Sequence, residues 1–264
     1  MPTTISKLFS TGILQTLPLD EVTYNSIKVN STGVYAAEFD EVNLTAGTAE
    51  RRTSSGTYLV SGHFDEYALT LPQATGGTVN TYSSGSTNYK THTFSSTDTF
   101  IMTNSGTVDV LLVGGGGGGS LGYNSGPSHS PGNGGDGGYA VTQTTYLTAG
   151  TYNISIGSSA SFGYNAANFA GGTGSTTTAF GFTAAGGQGG QNTRLNQAGT
   201  TNGIISSISG SSIQYGQGGP ITAGLSSGAS GANGTGNGGA SGGDGNFSGG
   251  AGGTGVVIVR YIVS

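Results

Sequence analysis

The sequence contains no cysteine and no tryptophan, only six prolines, and charged residues at 7% of its 264 positions. The missing thiols exclude disulfides and thiol chemistry. So few prolines exclude a collagen triple helix, which needs a proline-rich Gly-X-Y repeat. The last lysine is Lys90, so residues 91–264 carry no basic stripe to neutralise phosphate, and no nucleic-acid partner is expected. No apolar run approaches the length of a membrane span, and Met1 to Asp20 shows neither a cationic leader nor a long apolar core. The expectation is a soluble product made in a cytoplasm, without membrane insertion. Helical periodicity is nearly absent too.

What the chain has is glycine, 54 residues of it. Eight fall in residues 1–90, leaving 46 in residues 91–264, where only Asp98, Asp109, Asp136, Asp244, Arg194 and Arg260 are charged. Glycine loses more backbone freedom on ordering than any other residue, so an ordered glycine-rich fold needs the missing Cβ for close backbone approach. Disorder is the competing reading. Against it, apolar strand patterns interrupt the glycine tracts and a strongly apolar segment closes the chain.

Strands are expected at Thr93–Met102, Val108–Val113, Tyr139–Leu147, Thr151–Ile156, Thr177–Thr183 and Val256–Ile262. In Thr151–Ile156, Tyr152, Ile154 and Ile156 alternate with polar residues, the half-buried pattern of an antiparallel sheet. Val256 to Val259 is apolar on both faces and belongs in mid-sheet. Strands without intervening helices predict an all-β fold, an antiparallel, jelly-roll-like β-sandwich. Between them, Gly132, Gly135 and Gly138 recur at three, as do Gly228, Gly231 and Gly234, and Gly249, Gly252 and Gly255. Three is the period of a polyproline-II-type helix, which has no internal hydrogen bonds. Buried segments of that kind must bond to each other, so packed polyglycine-II helices are expected beside the sandwich.

Composition divides the chain into residues 1–70, a linker or long loop at 71–90, and the glycine-rich β-sandwich domain at 91–264. Residues 1–70 hold eight of the twelve acids and a threefold echo. Each copy reads Ser-Thr-Gly or Ser-Ser-Gly, a strand-like run, an apolar residue and Asp-Glu: Leu19-Asp20-Glu21, Phe39-Asp40-Glu41 and Phe64-Asp65-Glu66. Pro18 and Gly62 are expected at bulges or turns. Small repeats bury little alone, so this β repeat module is an oligomerisation or docking candidate, with those nine residues as its attachment contacts. Neighbouring carboxylates on a strand point to opposite faces, which argues against an acid and base pair.

Gly114 to Gly119 behind a strand invites a nucleotide-binding reading. No Gly-Lys-Ser/Thr and no helix follows, so it is rejected. Two Gly-x-Ser-x-Gly matches lie outside any strand-to-helix turn. His63, His92 and His129 lack the partners of a zinc site, and two glycine-linked aspartates fall far short of a calcium repeat array. Five Asn-x-Ser/Thr sequons read as compositional accidents. We expect no enzyme, cofactor or metal.

A resemblance carries the reading further. His92-Thr93-Phe94, Gly106 to Val113 with six glycines behind it, Gly137-Gly138-Tyr139-Ala140, Gly150-Thr151-Tyr152, Gly187 to Gly190, and Gly252 to Tyr261 stand in an order that resembles the glycine-rich domain of bacteriophage tail fibres and related adhesins. Similar glycine-rich regions occur in receptor ectodomains of the anaplastic lymphoma kinase type. The resemblance implies a virion protein, on a phage tail or particle surface, that binds a host cell-surface glycan or outer-membrane protein. It implies a homo-oligomer, a trimer by analogy, and an N-terminal module, similar to short phage structural proteins, that attaches to other virion structural proteins. Loops between tracts then supply receptor contacts: Tyr123, Asn124 and His129; Tyr164, Asn165, Asn168 and Phe169; Gln191, Asn192, Arg194 and Leu195; and Phe247. The alternative is a capsid decoration or other virion structural protein without a receptor.

Overall fold

The computed structural model describes residues 71–263 except 126–127, 165–168 and 192–195, with side chains also left aside at 124, 125 and 128, and within residues 1–70 the backbone of five strands. The chain divides into two units, Met1–Leu69 and Thr70–Ser264. In the first, β1 (Thr4–Leu8) pairs antiparallel with β2 (Leu14–Pro18), which Pro18 closes. A meander follows: β3 (Glu41–Thr45), β4 (Thr48–Thr53) and β5 (Gly56–Ser61).

The second unit contains β6 (Gln73–Thr75), β7 (Thr78–Ser84), β8 (Thr87–Phe94), β9 (Asp98–Asn104), β10 (Gly106–Val113), β11 (Tyr123–Ser125), β12 (Ser128–Ser130), β13 (Ala140–Leu147), β14 (Gly150–Ile154), β15 (Thr177–Ala179), β16 (Phe182–Ala184), β17 (Ile205–Ser206), β18 (Ile213–Gln214) and β19 (Val256–Ile262). No helix occurs among the described residues. A five-stranded antiparallel sheet, ordered β13-β10-β19-β8-β7, faces a three-stranded one, β14-β9-β6. Phe94, Val108, Val110, Leu112, Val257, Val259 and Tyr261 of the larger sheet pack with Phe100, Met102 and Ile154 of the smaller. The result is a β-sandwich. On the outer face, Leu111, Val113, Val256 and Ile258 lie under Ile208 and Tyr215 from the β17–β18 region. Both faces of β19 are therefore covered, which is why its sequence shows no alternation.

Three expectations change. Residues 71–90 are no linker: they carry β6, β7 and the start of β8. Strand β7 is an edge with mostly exposed side chains, so it can be built from Thr, Asn and Ser, the composition that reads as loop. The run Thr93–Met102 breaks at Ser95-Ser96-Thr97, sending β8 and β9 into opposite sheets so that Phe94 and Phe100 meet edge to face. Thr177–Thr183 is a hairpin, turned by Phe180 (φ 55°) and Gly181 (φ 80°), the paired positive φ of a tight two-residue turn.

Beyond the sandwich the strands run on as glycine tracts. All nine residues from Gly114 to Gly122 donate their N–H groups, in rotation, to three antiparallel neighbours. Gly114, Gly117 and Ser120 bond Tyr139, Asp136 and Asn133. Gly115, Gly118 and Leu121 bond Ser175, Gly172 and Phe169. Gly116, Gly119 and Gly122 bond Gly253, Gly250 and Phe247. The carbonyls of residues 115–120 accept from three parallel neighbours: Gly187 and Gly190, Ala160 and Gly163, Gly239 and Gly242. One threefold helix thus sits inside six others. Each partner advances by three residues per turn, the polyglycine-II arrangement, and backbone pairing replaces apolar burial as the cohesive term.

A buried imidazole lies between the two sheets of the sandwich. His92 on β8 is fully buried, its Nδ1 2.7 Å from the Gly76 carbonyl oxygen and its Nε2 3.0 Å from the Tyr261 hydroxyl. A carbonyl only accepts, so Nδ1 carries the proton and Tyr261 donates to Nε2, while the Ala74 N–H donates to the Tyr261 oxygen at 3.0 Å. The ring and the hydroxyl thereby tie β6 to the larger sheet. Burial lowers the His92 pKa, against a smaller opposing effect of the Gly76 bond, and burial raises that of Tyr261. With a folded pKa below the unfolded one, the unfolded chain binds the extra proton. Stability is then full above pH 6.5, the unfolded value, and falls on acidification until the folded pKa is passed. Denaturant melts at descending pH should show a loss of up to about 1.4 kcal/mol per pH unit in that window, absent in His92→Gln.

Candidate functional site

The hydrogen-bond register locates one end of the bundle. Residue 122 lies eight residues beyond Gly114, about 25 Å along a threefold helix from the sandwich edge. At that end the last partner on each neighbouring tract is Gly190, Gly163, Asn133, Phe169, Gly242 or Phe247, where the tracts turn around. The segments joining the tracts therefore leave the bundle together. The hairpin β11–β12 follows Gly122 directly, with Tyr123 opposite Ser130 and Asn124 opposite His129. Tyr164 follows Gly163, whose N–H bonds Gly119. Gln191 follows Gly190 and turns its Nε2 onto the Gly189 carbonyl at 3.1 Å. Phe169 and Phe247 accept at the tract end through their own carbonyls.

Every expected contact residue in the described part of this domain thus falls at the same end: Tyr123, Asn124, His129, Tyr164, Phe169, Gln191 and Phe247. Asn165, Asn168, Asn192, Arg194 and Leu195 lie outside the described residues. So do Leu19, Asp20, Glu21, Phe39, Asp40, Phe64, Asp65 and Glu66 of the N-terminal module. Glu41 opens β3 opposite Arg52.

Composition alone misses three apolar residues here. Phe162 and Tyr164, 38% and 54% exposed, meet edge to face at 6.1 Å between ring centroids. Leu225 is 72% exposed, and a side chain at Gly245 would touch both it and the His129 Nδ1. Ile221 is exposed as well. An apolar residue inside a Gly/Ser segment, as in Gly224-Leu225-Ser226, was the available signal, since nothing nearby could bury it. Exposed rings and aliphatic groups beside hydroxyls and amides suit an uncharged partner surface. Among the described residues no three carboxylate, imidazole or thiol groups converge on a possible metal position. No helix among them is long and apolar enough to cross a membrane.

Arg260 lies on the outer face of the larger sheet, far along β19 from the tracts. It pairs with Asp109 at 2.7 Å, donates to the Tyr82 hydroxyl at 3.1 Å and lies 4.7 Å from the centre of the Tyr89 ring. Burial opposes its charge, but the Tyr82 and Asp109 contacts outweigh this and raise its pKa. Tyr82 in turn donates to the Ile208 carbonyl at 3.2 Å. This group fastens the segment covering the outer face and makes no approach to the bundle end.

The family described as Glycine-rich domain matches residues 88–237, and the chain belongs to it. The match begins at β8 and runs through the central tract and four of its six neighbours. No curated protein matches the chain.

Proposed function

We propose that this chain is a phage virion protein, a tail fibre or receptor-binding adhesin that displays loops on a rigid glycine-rich scaffold to attach to a host surface. The supporting observation is the convergence of the inter-tract segments at one end of a bundle held together by main-chain bonds. Rigid presentation lowers the ordering cost of binding, and it leaves loop side chains free to vary without disturbing the frame. In this reading the N-terminal module attaches the chain to other virion proteins, and the assembly is a homo-oligomer, trimeric as in the fibres that the domain resembles. The partner is a host-surface glycan or outer-membrane protein, and no catalytic step is assigned.

The test is binding of the full chain to intact cells that particles carrying it infect. Saturable binding is expected, with little dependence on ionic strength because residues 91–264 hold six charges. Tyr164→Ala and Phe162→Ala should each weaken binding by roughly tenfold or more at unchanged melting temperature. No saturable binding, or antibody labelling of the head rather than the tail, would favour a capsid decoration protein. Strong salt dependence would count against recognition through this end.

A further inference from the structure

The tracts contain a repeated device that glycine spacing does not reveal. The Gln197 N–H donates to Asn133 Oδ1 at 3.1 Å, while the Gly134 N–H donates to the Gln197 carbonyl at 2.9 Å. One turn later the Thr200 N–H donates to Asp136 Oδ1 at 2.6 Å and the Gly137 N–H to the Thr200 carbonyl at 2.9 Å. Asn237-Gly238 holds Gln217 in the same way, at 2.9 and 2.8 Å, and Asn233-Gly234 holds Thr254 at 3.3 and 3.1 Å. In each case a short polar side chain and the next residue's N–H grip both main-chain groups of one residue on a neighbouring tract.

These clamps have a chemical consequence. Asn-Gly is the dipeptide most open to deamidation, because the glycine leaves its own nitrogen unshielded. That nitrogen attacks the asparagine Cγ, loses its proton to hydroxide and expels ammonia; water then opens the succinimide to aspartate or isoaspartate. The sequence has four Asn-Gly pairs, at Asn133, Asn202, Asn233 and Asn237. In all four the glycine N–H is already donated to a carbonyl, at 2.9, 3.2, 3.1 and 2.8 Å. The asparagine side chain is also fixed: three through Oδ1, and Asn202 through Nδ2, which donates to the Gly137 carbonyl at 3.0 Å. The attacking atom is engaged elsewhere and the side chain cannot rotate onto it.

We infer that these four asparagines are latent deamidation sites, kept unreacted by the clamps at Asn133, Asn233 and Asn237 and by the equivalent pair of bonds at Asn202, and released only when a tract opens. Isoaspartate adds a methylene to the main chain, and the following residues then no longer meet their partners every third position. A single event thus makes a transient opening permanent, and the bundle carries an intrinsic limit on its lifetime.

Peptide mapping by mass spectrometry, after incubating the full chain in mildly alkaline buffer with and without concentrated urea, tests this. Unfolded chain should deamidate at all four pairs. Folded chain should react at Asn133 and Asn237 more slowly by on the order of a hundredfold, since reaction through a rare open state is reduced by its population. Gln217→Pro separates the clamp from mere folding. Proline suits a threefold tract and keeps the carbonyl that Gly238 uses, but lacks the N–H that Asn237 holds. Faster reaction at Asn237, with Asn133 unchanged and the melt retained, supports the clamp. Equal rates in folded and unfolded wild type, or a folded Gln217→Pro protein with no change at Asn237, would overturn it. If that variant does not fold, the comparison of wild type with and without urea stands alone.

Discussion

Gly116→Val abolishes the cooperative melt of the glycine-rich unit, leaving it unfolded or aggregated. A Cβ at Gly116 would overlap the Asn237 carbonyl, and at Gly117, Gly118 and Gly119 the obstacles are the carbonyls of Gln188, Ser161 and Ala240. These neighbours are main chain, each fixed by its own bonds, so none can turn aside as a side chain would. The expected loss is about 4 kcal/mol or more, at the extreme for a single substitution. Gly150→Ala is the matching control. Its φ is not positive and the nearest atom to its Cβ is 4.0 Å away, so the melting temperature should hold. Thermal melts of the two proteins decide, and a silent Gly116→Val would mean that the tract is not enclosed.

Thr177→Val costs about 2 to 4 kcal/mol although it preserves shape, because two buried main-chain groups lose their partner. Thr177 is fully buried at the start of β15, where sandwich becomes bundle. Its hydroxyl donates to the Val113 carbonyl at 2.7 Å and accepts the Gly157 N–H at 2.8 Å, joining the end of β10 to a tract beside the central helix. Valine leaves that donor and acceptor without water or substitute. Serine keeps the oxygen, so Thr177→Ser should recover most of the loss in a denaturant titration. Equal losses for valine and serine would assign the effect to the methyl group instead.

Much of the frame was legible beforehand, because the relevant signals are local. The apolar run Val256 to Val259 announced a central strand, and β19 is the middle of five. The three glycine triplets announced threefold helices, and each of their nine members donates in step: Gly132, Gly135 and Gly138 to Gly242, Gly239 and Gly236, Gly249, Gly252 and Gly255 to Gly163, Ala160 and Gly157, and Gly228, Gly231 and Gly234 to Ser248, Ala251 and Thr254. The mistaken linker at 71–90 has an equally local cause, since an edge strand needs no apolar face and β7 is written in loop residues. Of the candidate surface, loop membership was readable, including the place of Tyr164 and Phe247 where tracts turn around. The exposure of Leu225 beside His129 was not, because it joins loops about a hundred residues apart in sequence.

The sequence by itself determined the periods: two in the strands, three in the tracts, and a nearly uncharged surface around both. Those follow from residue types at fixed spacing and need no partner. Only the tertiary structure decided which tract is enclosed by six others, which asparagines hold which neighbours, and which loops share an end. A threefold helix has no internal bonds, so its N–H groups could be satisfied by any adjacent tract. The choice is made by which strands the sandwich sets side by side.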